Sequence, residues 1–164
     1  MKTFVNALVA IFGVIVGGPV TAQDQGSYDA GTYATCAACH LPDGAGIPGA
    51  FPRIRSRATA IAQLEGGRDY LITVTSYGLM GNITVDAAQY FGIMPGNSAA
   101  MSAAEIASVL NYIVFELSDT EATGIDEFTT EEVESVQSGV ASKSPATAGE
   151  IRKALTTTHG DGWP

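Results

Sequence analysis

The stretch Cys36-Ala37-Ala38-Cys39-His40 constrains this chain more than any other. Two thiols three positions apart lie on one helical turn, so each can bond one vinyl group on the same edge of a porphyrin. The histidine that follows directly can reach the iron with its imidazole, which in its neutral form is a good iron ligand. The spacing therefore predicts covalent attachment of a haem of the c type.

Three other structures can use the same residues, and each is less favoured. A disulfide between Cys36 and Cys39 would need nothing else from the chain. A zinc ion needs four nitrogen or sulfur ligands, whereas the sequence offers one further histidine, His159, and no further cysteine. A thioredoxin-like redox pair would need a βαβ context, which the surrounding residues do not indicate.

The first 22 residues have the pattern of an export signal. Lys2 gives a positive start, residues 4–16 are almost entirely apolar, and residues 20–22 supply a small-residue cleavage site. The apolar stretch is short for a membrane span, which takes about 20 residues, although an uncleaved anchor is the alternative. We predict a signal peptide over residues 1–22, cleavage after Ala22, and a mature chain without a stable membrane span.

Acidic residues outnumber basic ones by 17 to 8, which gives a formal net charge of −9. No basic face is available to neutralise phosphates, so the composition argues against a nucleic-acid partner. The acidic residues are densest over 119–134, where no lysine or arginine occurs. This change of composition predicts a haem domain over residues 23–118 and an acidic C-terminal extension with short helices over 119–164.

Hydrophobic spacing predicts main helices over about 27–39, 69–77 and 102–117. The last of them opens with a capping box at Ser102. Residues 41–52 are dense in glycine and proline, so we expect a tight loop there rather than regular structure.

Weaker signals mark smaller elements. Residues 83–85 and 89–90 are expected to form a small hairpin. Thr129 and Thr147 can each cap a short helix of the extension. Residues 159–162 are expected to be a loose end.

Three segments resemble class I cytochromes c: CAACHLPDGAGIPGAFPRI, GNITVDAAQYFGIMPG and MSAAEIASVLNYI. The resemblance covers roughly residues 26–118, and it is nearest to small bacterial monohaem cytochromes. It implies an all-α, class I cytochrome c fold with three main helices around one covalently bound haem c. The extension is similar only loosely to the tails of some of these proteins.

The resemblance also implies roles for individual residues. Cys36 and Cys39 match the positions that form the haem thioethers, and His40 matches the proximal iron ligand. Met94, in front of a proline, matches the distal iron ligand. Pro52 matches the residue whose carbonyl accepts the second N–H of the ligand histidine, a bond that fixes the ring orientation.

Some positions leave choices open or depart from the family pattern. Met80 and Met101 are alternative distal ligands, but Met94 is favoured because it lies in a loop closed by a proline. Tyr33 lies one residue nearer the first cysteine than the usual aromatic. Ala87 stands where a glycine usually makes the hairpin turn.

The resemblance implies a periplasmic, non-catalytic carrier that passes single electrons between redox partner proteins through a His/Met-ligated haem. These partners would be a periplasmic oxidoreductase, a membrane respiratory complex, or both. One alternative is a subunit stably bound to a periplasmic dehydrogenase or reductase. Another is a haem enzyme, for peroxide or small-gas chemistry, with an open distal site.

Arg53, Arg55 and Arg57 alternate directly after the glycine-rich loop. They can belong to an ordinary solvated surface, face a haem propionate, or face an acidic patch of a partner. Between the two functional roles we favour the partner, because alternating side chains in a loop rarely all point inward.

Overall fold

A computed structural model describes residues 28–164, so the predicted signal segment lies outside the described residues. The helices are α1 (Ala30–His40), α2 (Arg57–Ala62), α3 (Gly67–Tyr77), α4 (Ala103–Asn111), α5 (Thr130–Gly139) and α6 (Pro145–His159). Strands β1 (Gly78–Val85) and β2 (Ala88–Pro95) lie between α3 and α4. A π-helical turn (Tyr112–Glu116) continues α4, and a short 3-10 turn (Gly160–Gly162) follows α6.

Along residues 28–164 no helix has both the length and the apolar character that a membrane crossing requires.

The expectation of an all-α fold is met only in part, because β1 and β2 form an antiparallel hairpin. Its register runs from Gly78 opposite Pro95 to Val85 opposite Ala88, so it is much longer than the predicted pairing of 83–85 with 89–90. Asp86 and Ala87 make the two-residue turn with φ values of 50° and 61°. Positive φ at both positions is the type I′ pattern, which matches the twist of paired strands even though alanine tolerates it poorly.

Local capping explains where several helices begin. The Ser102 hydroxyl accepts from the Glu105 backbone N–H, and the Glu105 carboxylate accepts from the Ser102 N–H, which completes the predicted capping box of α4. Thr129 caps α5 as expected. The predicted cap of α6 at Thr147 is wrong, because Pro145, whose fixed φ suits the first turn, starts that helix after Ser144.

Helix α2 was not predicted from the sequence. It has only six residues, too few to show a hydrophobic period, and the side chain of its N-cap residue, Ser56, makes no capping hydrogen bond to the first turn. A tertiary contact stabilises α2: the Thr59 hydroxyl donates to the Val114 carbonyl of the π-helical turn over 2.9 Å.

The extension packs into the same hydrophobic core as the helices that precede it. Ile72 of α3 and Val109 of α4 have no exposed surface, and neither do Val133 of α5 and Ala148 of α6. A buried amide adds a polar contact, since Asn111 Nδ2 donates to the Phe128 carbonyl (3.0 Å) and Asn111 Oδ1 accepts from the Phe128 N–H (2.7 Å).

An arginine fastens the same part of the extension. Arg68 of α3 forms a bidentate ion pair with the Glu132 carboxylate, with N–O distances of 2.7 and 2.5 Å. Its guanidinium also donates to the carbonyls of Asp126 and Glu127, and it lies 3.9 Å from the centre of the Phe128 ring.

The prediction of a loose end at residues 159–162 is wrong. The His159 ring bonds the Glu65 carbonyl (3.0 Å), and the 3-10 turn then carries Trp163 back against Tyr70, with ring centres 5.6 Å apart. These contacts are distant in sequence, so a local pattern could not reveal them.

Candidate haem site

Helix α1 carries the cysteine and histidine motif at its C-terminal end. His40 is its last residue, and Leu41 then turns the chain with a positive φ of 68°. Cys36 and Cys39 are half-buried free thiols on the preceding turn. Within the described part of the chain, no group of three or more His, Cys, Asp or Glu side chains is arranged to hold a metal ion, so the zinc alternative lacks further ligands.

The glycine-rich loop fixes the His40 ring. The His40 Nδ1–H donates to the Pro52 carbonyl over 2.8 Å, because a carbonyl can only accept. The loop packs tightly enough for this contact: Gly46 N–H donates to the His40 carbonyl (2.9 Å), and a Cβ on Gly46 would come within 2.5 Å of the Phe51 oxygen. This arrangement leaves Nε2 as the ring nitrogen available to a metal.

Burial also favours the neutral imidazole. His40 is 7% exposed, and this burial lowers its pKa, although the bond to the Pro52 carbonyl acts in the opposite direction. Because a metal ligand must have a free nitrogen lone pair, the environment of His40 suits coordination.

The hairpin brings Met94 to the same place. Met94 lies on β2 opposite Leu79 and lines two adjoining cavities together with His40. Met80 lies on β1, is 49% exposed and lines neither cavity, and Met101 lines neither. Gly78 allows close packing at the base of the hairpin, since with its φ of 82° a Cβ there would lie 2.2 Å from the Met94 carbonyl oxygen.

The two cavities share five lining residues: His40, Pro52, Leu79, Ile83 and Met94. The inner cavity also contacts Cys36 and is walled by apolar side chains of α2, α3 and α4, among them Ile61, Leu71 and Leu110. The outer cavity contacts Cys39 and opens to solvent beside Phe51, Phe91 and Ile93.

Aromatic side chains pack α1 against the π-helical turn that follows α4. Tyr33 of α1 is 2% exposed, its hydroxyl donates to the Leu41 carbonyl (2.8 Å), and its ring lies 5.2 Å from that of Tyr112. The shifted position of Tyr33 in the sequence therefore still gives a packed contact between the first helix and the end of the last main helix.

The three alternating arginines have different environments. Arg53 forms a bidentate ion pair with the Asp86 carboxylate, with N–O distances of 2.9 and 3.0 Å, and Arg55 forms an ion pair with Asp119. Arg53 and Arg57 both line the inner cavity, but only Arg57 is buried, with 8% of its surface exposed. Alternation along the sequence did not indicate which of the three arginines is buried.

These residues fit haem c. The two thiols, the His40 imidazole and the Met94 thioether all border the space formed by the two cavities. Apolar side chains line it, and Arg57 supplies a buried cation that suits a carboxylate. The family comparison agrees with this chemistry, because the model of the cytochrome c family matches residues 30–114. The chain belongs to the cytochrome c family.

Individual relatives extend the match beyond the family model. A cytochrome c-552 of Thermus thermophilus is 42% identical over 125 residues, which cover 76% of this chain and 82% of the relative. A second protein of that name from Thermus thermophilus is 44% identical over 106 residues, or 64% of this chain and 80% of the relative.

This class I c-type cytochrome therefore carries covalently bound haem c, and its cysteines fit the CXXCH motif of that attachment. The relationship identifies it as a monohaem electron-transfer protein that works with redox partner proteins.

Proposed function

We propose that this cytochrome is a periplasmic electron carrier whose haem iron is ligated by His40 and Met94, with Cys36 and Cys39 forming the thioethers. One observation carries the proposal: His40 and Met94 line the same apolar space, although 54 positions separate them in the sequence. The Pro52 carbonyl supports it by holding the His40 ring with Nε2 available.

Haem c supplies a reversible one-electron change at its iron. The protein tunes this change through its own side chains: the Met94 thioether raises the reduction potential relative to a more basic ligand, and apolar walls exclude water. Two protein ligands would fill both axial positions, which favours a carrier over an enzyme that binds peroxide or small gases.

The mouth of the outer cavity supports electron transfer to a protein partner. Phe51, Phe91 and Ile93 line this mouth and are 38%, 64% and 68% exposed. Exposed apolar side chains that cluster are typical of interaction sites. A periplasmic oxidoreductase or a membrane respiratory complex would dock here, whether the cytochrome diffuses freely or remains bound as a subunit.

The domain organisation follows from the same proposal. Residues 1–22 would be removed during export, residues 23–118 would hold the haem, and residues 119–164 would brace it from outside. The intact mass of the purified periplasmic protein should equal the chain from Gln23 plus one haem. A mass equal to the bare chain, with haem extractable by acid acetone, would contradict covalent attachment.

The ligand assignment is tested by Met94→Ala, with Met80→Ala as the matched control because Met80 lies one strand away and lines neither cavity. Met94→Ala should keep the haem attached, lose the weak far-red absorption of a sulfur–iron bond, lower the reduction potential and let the ferrous protein bind carbon monoxide. Met80→Ala should change none of these. The opposite pattern would show that Met80 is the distal ligand, and carbon monoxide binding by the unmodified ferrous protein would favour the open-site enzyme.

A further inference from the structure

Three buried N–H groups cluster beside the inner cavity without a hydrogen-bond partner among the described residues: Arg57 Nε, Arg152 Nε and Trp163 Nε1. Within residues 28–164 only one other buried side-chain polar atom, the Thr73 hydroxyl, is unpartnered in this way. Both guanidinium groups lie close to the Trp163 ring, with their central carbons 5.9 Å (Arg57) and 5.6 Å (Arg152) from its centre.

The cluster holds two guanidinium groups. Among the described residues, neither Arg57 nor Arg152 forms an ion pair with an aspartate or glutamate side chain, and Arg57 Nη2 donates to a main-chain oxygen of Pro164, the last residue of the sequence. Burial lowers the pKa of Arg57 to about 10, and the neighbouring Arg152 acts in the same direction. Because an unpaired buried donor or cation costs free energy, such a cluster is typical of a binding site for an anion.

The position of Arg57 indicates which anion this is. Arg57 and Tyr70 line the inner cavity together with Cys36 and His40, the space that fits haem c. Haem c has two propionate carboxylates on an otherwise apolar ring, so its carboxylates are the anionic groups that this cavity would bring to the cluster.

We propose that a haem propionate is bound by Arg57, Arg152 and Trp163, the last two supplied by the C-terminal segment. Arg152 and Trp163 lie outside residues 30–114, the part that the family model matches. The extension would then form part of the cofactor site as well as of the outer packing. This inference rests on the presence of haem c and does not depend on which methionine ligates the iron.

Other contacts hold the donors in place. Arg152 Nη2 donates to the Thr84 carbonyl of β1, and Arg57 Nη2 donates to a main-chain oxygen of Pro164, each over 2.9 Å. N–H donors with positive charge bind carboxylates more strongly than neutral donors do, and more so where water is excluded. The bound propionate should therefore remain ionised down to a lower pH than a free one.

The test compares Arg152→Gln with Lys153→Gln, which removes the same charge from the adjacent, exposed position of α6. Reduction potentials are measured by redox titration from mildly acidic to mildly alkaline pH. Arg152→Gln should lower the potential at neutral pH, because a cation near the haem is lost. It should also make the potential pH-dependent in the mildly acidic range, because the propionate then takes up a proton more readily.

Other groups that face the cluster must be counted in that titration. Arg57 on α2 and Tyr70 on α3 line the inner cavity together with Arg53, and the charge of Asp86 also acts on Arg57. All four are unchanged in both variants, so a new titration confined to Arg152→Gln is assigned to the propionate. Arg152→Lys, which keeps the charge, should restore most of the potential.

Trp163→Phe gives a milder second variant, since it removes the N–H and keeps a ring against Tyr70. It should shift the acidic titration in the same direction as Arg152→Gln, by a smaller amount. If both variants keep the potential and pH profile of the unmodified protein and only unfold more easily, these residues merely fasten the extension and the proposal is wrong. Loss of the far-red sulfur–iron absorption would instead report on ligation, which the Met94 experiment tests separately.

Discussion

Replacing Asn111 with alanine should weaken the attachment of the extension to α4. Asn111 is 5% exposed, and its amide makes two hydrogen bonds to the main chain of Phe128, much as a neighbouring strand would. Alanine at this position leaves the Phe128 N–H and carbonyl without these partners in a buried place.

The expected loss follows from those two groups. Each buried main-chain group left unpaired costs about 1–3 kcal/mol. Water that enters the space of the missing amide recovers part of this cost, and alanine is the better helix former by a few tenths of a kcal/mol. We therefore expect the free energy of unfolding to fall by about 2–4 kcal/mol.

Unfolding of the haem-loaded protein by guanidinium chloride, followed by far-ultraviolet circular dichroism, measures this loss. Asn82→Ala is the matched control, because Asn82 is exposed and its side chain makes no hydrogen bond within the described residues, so its effect should stay within about 0.5 kcal/mol. The Phe128 amide should also exchange with solvent faster in Asn111→Ala. A loss below about 1 kcal/mol, with normal protection of that amide, would refute the role assigned to Asn111.

Two further predictions concern the hairpin turn. Ala87→Gly should raise the free energy of unfolding by about 0.5–1 kcal/mol in the same denaturation assay, because glycine adopts the positive φ of 61° without steric cost; a destabilised variant would contradict the turn geometry. The hydrogen bonds from Arg53 lower the pKa of Asp86, so this pair stabilises the fold above the ordinary aspartate pKa of 3.8 and ceases to do so as the pH falls through the lower, folded-state value. Asp86→Asn should thus lower the free energy of unfolding by less than about 1 kcal/mol at neutral pH and leave it unchanged in strong acid. An equal loss at both pH values would show that the charge of Asp86 is not the cause.

The sequence alone predicted the parts of this protein that depend on neighbouring residues. The spacing of Cys36, Cys39 and His40 indicated haem c because the chemistry acts across one helical turn. The capping box at Ser102 and the cap at Thr129 likewise marked helix starts, because each cap bonds N–H groups two or three residues away.

Elements that depend on distant partners were predicted less well. Helix α2 is stabilised by Val114, 55 positions away, and lacks a signal of its own. The hairpin was predicted too short, because ladder hydrogen bonds hold its outer residues irrespective of their hydrophobicity. Helix α6 begins at Pro145 and not after Thr147, because the fixed φ of proline already suits the first turn of a helix.

The tertiary structure alone decided which charged side chains meet the cofactor space. Arg53, Arg55 and Arg57 look equivalent in the sequence, yet only Arg57 is buried, because α2 begins there and turns it toward α3. Trp163 and Arg152 join it from the far end of the sequence, where a main-chain oxygen of Pro164 accepts a hydrogen bond from Arg57 across 107 positions. Local patterns cannot reveal such a cluster, because its members are brought together only when the hydrophobic faces of α3, α4 and α6 pack into one core.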